Sequence, residues 1–364
     1  MTKINEYFLN ISDWREQHKV QHKLSDILLI GLCTYLSNGE DYEDMVIFAK
    51  TKGHLLPDLL SLPNGIPSHD TFNRVFQALD CEVLRGCLSA YGKEIVDVLA
   101  EKQICFDGKK LKGVSPQSKG NHGLYIVNAW VAENKICVGQ EKVTDKSNEL
   151  NALPKLIKSL NITDAVATID AMGCQKHIAS QIKEQKGHYL LALKKNQKEL
   201  WEEVTCAFKA NTPISQKEEW EYARGRFEIR KCSILSAQDT IEEDIITQWE
   251  GLQTLVRVES TRIIADKKTT EIRYYISDEN EVNALYYNYL VRGHWGIENH
   301  LHWHLDVTFS EDSCRARKGN APENLATLRK LALQIISEHD DKLSLKKRRV
   351  KAAYDTEYMV ELLT

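Results

Sequence analysis

The 364-residue sequence has no apolar run long enough to cross a bilayer: the longest, Ile27 to Leu36, is broken by Gly31 and Thr34. Its first residues, Met-Thr-Lys-Ile-Asn-Glu, lack the apolar core of a secretory signal. Nine cysteines are scattered without a C-x-x-C pair, which argues against both a disulfide framework and a zinc ribbon. There is no H-E-x-x-H motif, no internal repeat and no low-complexity linker. Excess positive charge is missing too. With 48 Lys and Arg against 52 Asp and Glu the net charge is −4, which by itself does not mark a nucleic-acid binder. These absences point to a cytoplasmic protein with no membrane partner. Its 42% hydrophobic and 27% charged residues are ordinary, and its length suggests two or three domains.

The distribution of charge says more than its sum. Lys109, Lys110 and Lys112 cluster beside Asp107, and Lys194, Lys195 and Lys198 surround Asn196 and Gln197. Arg224, Arg226, Arg230 and Lys231 form a third group, and Lys346, Lys347, Arg348, Arg349 and Lys351 a fourth. Acidic residues gather at Glu40 to Asp44 and Asp239 to Glu250. Such asymmetry can line a basic groove on a mildly acidic protein.

Residues 1–98 read as an all-helical module. Leu24 to Leu36, Asp41 to Lys50 and Glu82 to Leu99 place apolar residues at helical spacing. Ser68 is an N-cap for a helix from His69 to Leu79, whose front carries His69, Asp70, Thr71, Asn73 and Arg74. That pattern resembles the second helix of a helix-turn-helix, and Arg74 is its candidate DNA contact.

The texture changes at Gln103. Ile104-Cys105-Phe106 is a short apolar run ending on Asp107, and Leu124 to Val131 and Lys135 to Val143 read as strands. An amphipathic helix (Asn148 to Leu160), a strand (Ala165 to Ile169) closing on Asp170, a helix (His177 to Lys186) and a strand (Tyr189 to Leu193) follow. The order is β-β-β-α-β-α-β, with both aspartates at strand ends, where ligands gather in α/β sheets. A lone strand-end Asp is often an Asx-turn; two in equivalent positions favour function. About 200–278 alternates like antiparallel strands and forms a β-rich insertion. Behind it lies Arg292-Gly-His-Trp-Gly-Ile-Glu-Asn-His-Leu-His-Trp-His-Leu-Asp306. On an α-helix its His294, Glu298 and His302 share one face, with Asp306 a further turn along and Ile297, Leu301 and Leu305 as an apolar stripe. Asn324 to Ser337 is another amphipathic helix, and 339–364 is a basic helical tail.

Several ordered stretches together carry a resemblance to bacterial insertion-sequence transposases of the DDE class, of the H-repeat-associated kind. They are Phe106-Asp-Gly-Lys-Lys-Leu-Lys-Gly, Asp145-Lys-Ser-Asn-Glu, Thr168-Ile-Asp-Ala-Met-Gly-Cys-Gln, Tyr189-Leu-Leu-Ala-Leu-Lys-Lys-Asn-Gln and His294-Trp-Gly-Ile-Glu-Asn-His-Leu-His-Trp. The resemblance implies an α/β (α+β) RNase H-like catalytic core over 99–338, preceded by the helical module. Asp107, Asp170 and Glu298 would be its catalytic and metal-binding acids, holding Mg²⁺ or, as a substitute, Mn²⁺. It also implies double-stranded DNA with terminal inverted repeats as partner, a homodimer formed on DNA, and a nucleoid-associated location when bound. Lys109, Lys110, Lys112, Lys194, Lys195, Asn196, Arg292, His294, His302 and Arg74 are the expected DNA contacts. One departure stands out: related enzymes carry Arg four residues before the catalytic Glu and Lys seven after, where this chain has His294 and Leu305. Three rival readings are a zinc hydrolase using His300 and His304, an inactive DNA-binding remnant, and a metal-dependent nuclease without strand transfer.

Overall fold

The computed structural model describes residues 3–114, 124–143, 149–223, 225–265 and 267–363. The chain opens with α1 (Lys3–Leu9), α2 (Leu24–Leu36), α3 (Tyr42–Lys52), α4 (His69–Ala78) and α5 (Cys81–Ile95). Asp41 caps α3, Ser68 caps α4 through the Thr71 amide, and Asp80 caps α5. The tight turn of a helix-turn-helix is not found between α3 and α4. Residues 53–68 separate them, with Leu62 and Gly65 at positive φ on either side of a turn at Pro63 and Asn64.

Next come β1 (Gln103–Leu111), β2 (Leu124–Val131), β3 (Ile136–Val143), α6 (Glu149–Lys158), β4 (Val166–Ile169), α7 (Lys176–Glu184) and β5 (His188–Leu193). This is the β-β-β-α-β-α-β order expected, although the Asp145–Glu149 motif falls largely outside the described residues. After α8 (Lys198–Ala210) come β6 (Ser215–Ala223), β7 (Arg226–Ser236), the short α9 (Ala237–Thr240) and α10 (Glu243–Ile246), then β8 (Thr254–Ile264) and β9 (Lys267–Ser277). The insertion does not stand apart. β9 pairs antiparallel with β5, so the described strands form one nine-stranded sheet in the order β3-β2-β1-β4-β5-β9-β8-β7-β6.

α11 (Ala284–Gly296) lies across that sheet and continues as π-helical turns over Ile297–His302 and His304–Thr308. It approaches closely because glycine faces the sheet: a Cβ on Gly293 would meet the Gln103 amide, and one on Gly296 would sit 2.7 Å from the Trp130 ring. Then come α12 (Ala321–Glu338), α13 (Leu345–Tyr354) and α14 (Thr356–Leu363).

α12 is not an amphipathic surface helix; residues Ala321 to Ile336 are buried all round. Its polar positions are paired inside. Asn324 donates to the Phe76 and Leu79 carbonyls at 3.0 and 2.8 Å, Lys330 to Gln140 Oε1 at 2.6 Å, and Gln334 to the Cys137 carbonyl at 2.6 Å. The pattern reads as amphipathic because one face meets apolar helices and the other meets polar partners on β3 and α4. One apolar core joins α1–α5 to Ile297, Leu301, Leu305, α12 and α14. The basic tail is partly interior as well. Arg349 is fully buried and donates to the carbonyls of Tyr35, Gly39 and Thr308, pinning the end of α2 to the end of the π-helical turns.

Candidate active site

Register brings the first two acids together. β1 and β4 run parallel, and their last pair is Phe106 with Ile169, so Asp107 and Asp170 are the next residues side by side. Asp107 is not at a strand end as expected. It stands mid-strand, because β1 runs on to Leu111 in antiparallel pairing with β2 and places Asp107 opposite Asn128. Both acids line one small cleft with Gly108 and Gly173. Asp170 also forms the Asx-turn that was its plainer reading: Oδ1 accepts from the Met172 and Gly173 amides at 3.1 and 3.3 Å.

The alternation of β1 turns Gln103, Cys105, Asp107 and Lys109 toward α11 and its extension. Gln103 Nε2 donates to the Leu290 carbonyl at 2.7 Å and Cys105 Sγ to that of Gly293 at 3.6 Å. Asp107 Oδ2 lies 3.5 Å from His302 Nδ1, and Lys109 Nζ reaches Asp306 Oδ1 at 2.6 Å. The helix therefore runs along β1, and the turns between Gly293 and Asp306 pass over Asp107. Glu298 belongs to those turns, and its side chain is exposed.

The π-helical winding decides which way the neighbours of Glu298 point. In an α-helix a step of four residues advances a side chain by about 40°. In the wider i→i+5 winding the same step falls back by roughly 30°. His294 precedes Glu298 by an α-helical step and His302 follows by a π-helical one, so both rings fall on the same side of Glu298, toward the sheet. His294 Nδ1 is 3.0 Å from Thr168 Oγ1, which also accepts from Gln103 Nε2 at 3.0 Å. Burial pushes the His294 pKa down to about 4 and, with help from Lys109, that of His302 down to about 3. Both rings are turned inward, so neither is placed to present a cation to a phosphate.

The other expected DNA contacts divide into four kinds. Lys110, Lys194, Lys195 and Arg74 are exposed, Lys195 lying 5.1 Å over the Trp201 ring and Arg74 hydrogen-bonded to the Asp70 carbonyl at 3.2 Å. Lys112 and Arg292 are exposed but paired, Lys112 with Asp312 at 3.0 Å and Arg292 with Glu221 of β6 at 3.2 Å. Lys109 is 7% exposed, with its ammonium between Asp306 and Glu311 at 2.6 and 2.7 Å, so its charge is spent inside the protein. Burial pulls its pKa down, but Glu311 and Asp306 outweigh that and leave it raised. Asn196 donates to the Ala171 carbonyl at 2.7 Å and steadies the loop that follows Asp170.

Sequence reading missed Gln103, Thr168 and Asn128. Only Gln103 left a signal, two alternations before Asp107 on the same strand face. It also missed Arg315, Arg317 and Lys318, an exposed basic run that lines a cleft of about 590 Å³ together with His69, Asn73 and Gln77 of α4. Glu40, Asp41 and Glu43 line the same cleft.

The zinc alternative loses its ligands. His300 stacks on Trp130 with ring centroids 6.2 Å apart, and His304 Nδ1 is 3.0 Å from Thr308 Oγ1. Among the described residues no three His, Cys, Asp or Glu side chains form a ready-made metal group. Two aspartates side by side still suit a hard cation such as Mg²⁺, which keeps several waters and needs few protein oxygens.

Asp107 and Asp170 thus stand side by side on paired parallel strands, and Glu298 lies on the π-helical turns that follow α11. Residues 99–335 match the family described as "Transposase DDE domain", and residues 5–91 match its associated domain, so the chain belongs to the DDE transposases. Over its whole length it is 34% identical to the "H repeat-associated putative transposase YhhI" of Escherichia coli (strain K12), covering 98% of that relative. It is 35% identical to the "Putative transposase YncI" of Escherichia coli O157:H7, over 98% of this chain and 93% of that one. No helix among the described residues is long and apolar enough to cross a membrane.

Proposed function

We propose that Asp107, Asp170 and Glu298 act together as the metal-binding acids of a site that cleaves and joins DNA at insertion-sequence ends, on an RNase H-like core. The observation that carries this is the register of β1 and β4, which sets two acids side by side from positions 63 residues apart in sequence. Glu298, a further 128 residues on, lies on the π-helical turns that continue α11. Bound Mg²⁺, or Mn²⁺ in its place, would supply the charge that activates a water or 3′-hydroxyl and steadies the leaving oxygen. Asp107, Asp170 and Glu298 would be the residues that hold it. Cleavage and strand transfer of supplied end DNA should proceed with Mg²⁺ or Mn²⁺ and fail with Ca²⁺, which favours looser and higher coordination. Equal activity in Ca²⁺ would count against this ligand set. Cleavage without joining would favour a nuclease.

The DNA path we propose runs from the acids over Lys110, Lys194 and Lys195, and over Arg315 and Lys318 to α4. Each phosphate contact removed should lower the salt slope of binding by about one. Lys194→Ala and Arg315→Ala are expected to do so equally on all sequences, measured by titrating a fluorescent duplex at several salt concentrations. An unchanged slope takes that residue off the path. Arg74→Ala on α4 should instead reduce preference for the terminal inverted repeats. Deleting 1–98 cannot test this, because those helices share the core of α12 and α14. A homodimer assembled on DNA completes the reading, and the protein-to-DNA ratio of the complex in sedimentation measures it.

A further inference from the structure

Asp107 is one member of a polar row that crosses the sheet. On the strand pairings Gln140 of β3 faces Asn128 of β2, Asn128 faces Asp107 of β1, and Asp170 stands beside Asp107. Apolar residues fill most positions above and below, so each polar member calls for a reason. Gln140 has one: it accepts from Lys330 and donates to Thr327, both on α12. Asn128 lacks one at first sight. It is fully buried, its Oδ1 has no hydrogen-bond partner, and its Nδ2 makes only long contacts, 3.5 Å to the Ile126 carbonyl and 3.4 Å to His302 Nε2. A buried amide kept in so poor a setting contributes little to stability.

Its contact to His302 supplies the reason. An amide N–H facing Nε2 at 3.4 Å requires a lone pair there and leaves Nδ1 to carry the ring proton. Nδ1 is the nitrogen 3.5 Å from Asp107 Oδ2. The ring has little freedom to turn away: its side chain is 12% exposed, and the π-helical turn holds it toward the sheet. We infer that Asn128 and His302 form a relay that positions the Asp107 carboxylate, Asn128 fixing the tautomer and His302 offering Nδ1–H to Oδ2. This rests on the proposal that Asp107 is a metal-binding acid. Asp107 shares its cleft with Asp170, and partners of this kind hold ligating groups in orientation. Long contacts of this sort tighten when the site fills. His302 is then a positioning residue and touches neither metal nor substrate.

Side-chain geometry gives the relay a specific test. The amide nitrogen of Asn stands as far from the backbone as His Nδ1, whereas that of Gln stands nearer to Nε2. Mn²⁺ binding to the full-length protein can be followed by the electron paramagnetic resonance of the free ion, with thermal unfolding as a check on folding. His302→Leu is expected to weaken Mn²⁺ binding by about 10–100-fold. His302→Asn should recover most of the loss and His302→Gln little of it. If the Leu variant fails to fold, the comparison of Asn with Gln decides. The relay is overturned if His302→Leu and His302→Gln bind Mn²⁺ as wild type does, or if Asn and Gln are equally impaired. It is overturned equally if pulsed resonance finds a ring nitrogen coupled directly to the bound ion, which would make His302 a ligand. Should Asp107→Asn leave Mn²⁺ binding untouched, the metal-site reading fails and takes the relay with it. Binding that depends on Asp107 and ignores His302 removes the relay alone.

Discussion

Asp170→Asn should abolish metal-dependent DNA cleavage while leaving the fold and DNA binding in place. The substitution isolates charge unusually well here. Asp170 Oδ1 accepts from the Met172 and Gly173 amides, and an Asn carbonyl oxygen can accept the same two bonds. The turn after β4 is thereby kept, and the loop that Asn196 fastens through the Ala171 carbonyl is undisturbed. Only the anionic charge needed by a hard cation is removed. Losing one group that stabilises transition-state charge costs about 10²–10³-fold in rate, and losing a metal-binding acid should cost at least that much. Binding to end DNA should hold or rise slightly, since a negative charge beside phosphate has gone. A rate within threefold of wild type would remove Asp170 from the chemistry and leave it a turn residue. Asp170→Ala is a poorer probe because it also breaks the turn.

The second large effect is on stability and falls on Lys109. Its position beside Asp107 makes it look like a phosphate contact in the sequence. In the fold it is the cation between Asp306 and Glu311, and Glu311 is 1% exposed. Lys109→Met fills the same space with apolar atoms and strands two acids, one fully buried. Breaking a buried pair from one side typically costs about 3–5 kcal/mol. Urea denaturation of the variant should show a loss of that order, with an unchanged salt slope for the DNA binding that remains. The pH dependence has a definite sign. A lysine whose folded pKa is raised contributes stability that is complete below its unfolded pKa and fades as pH climbs through the folded value. Wild type should therefore lose this contribution only in strongly alkaline solution, and Lys109→Met should lack that alkaline dependence. A variant of normal stability with a slope lowered by one would return Lys109 to the DNA surface.

How far the sequence reaches depends on the kind of interaction. Short-range patterns were legible: the capped helix starting at His69, the strands flanking Asp107 and the strand before Asp170 all rest on alternation, helical spacing and local caps. The midstrand place of Asp107 was not, because Gly108, Lys109 and Lys110 look like a turn until β2 pairs with them. The inward turn of His294 and His302 was not legible either. Helical spacing assumes 3.6 residues per turn, and nothing local announces π-helical winding. Arg349, read as part of a basic cluster, misled for a related reason, and Lys330 is buried in the same way. A buried cation looks like a surface one until its partners, Tyr35 and Gln140, arrive from more than a hundred residues away. The insertion could be recognised as antiparallel strands, but its attachment to β5 is a long-range pairing with no sequence signal of its own.

Everything in the functional reading turns on whether the third acid is Glu298. Asp306 and Glu311 lie within reach in sequence, yet both are engaged by Lys109. The direct measurement is cleavage and joining of DNA carrying candidate terminal inverted repeats, in Mg²⁺, by wild type and by Glu298→Gln. Gln keeps the size and hydrogen-bonding capacity of the side chain and removes its charge. The three-acid site predicts that Glu298→Gln binds the ends with wild-type affinity and forms neither cleaved nor joined product. Cutting at the wild-type rate would contradict it.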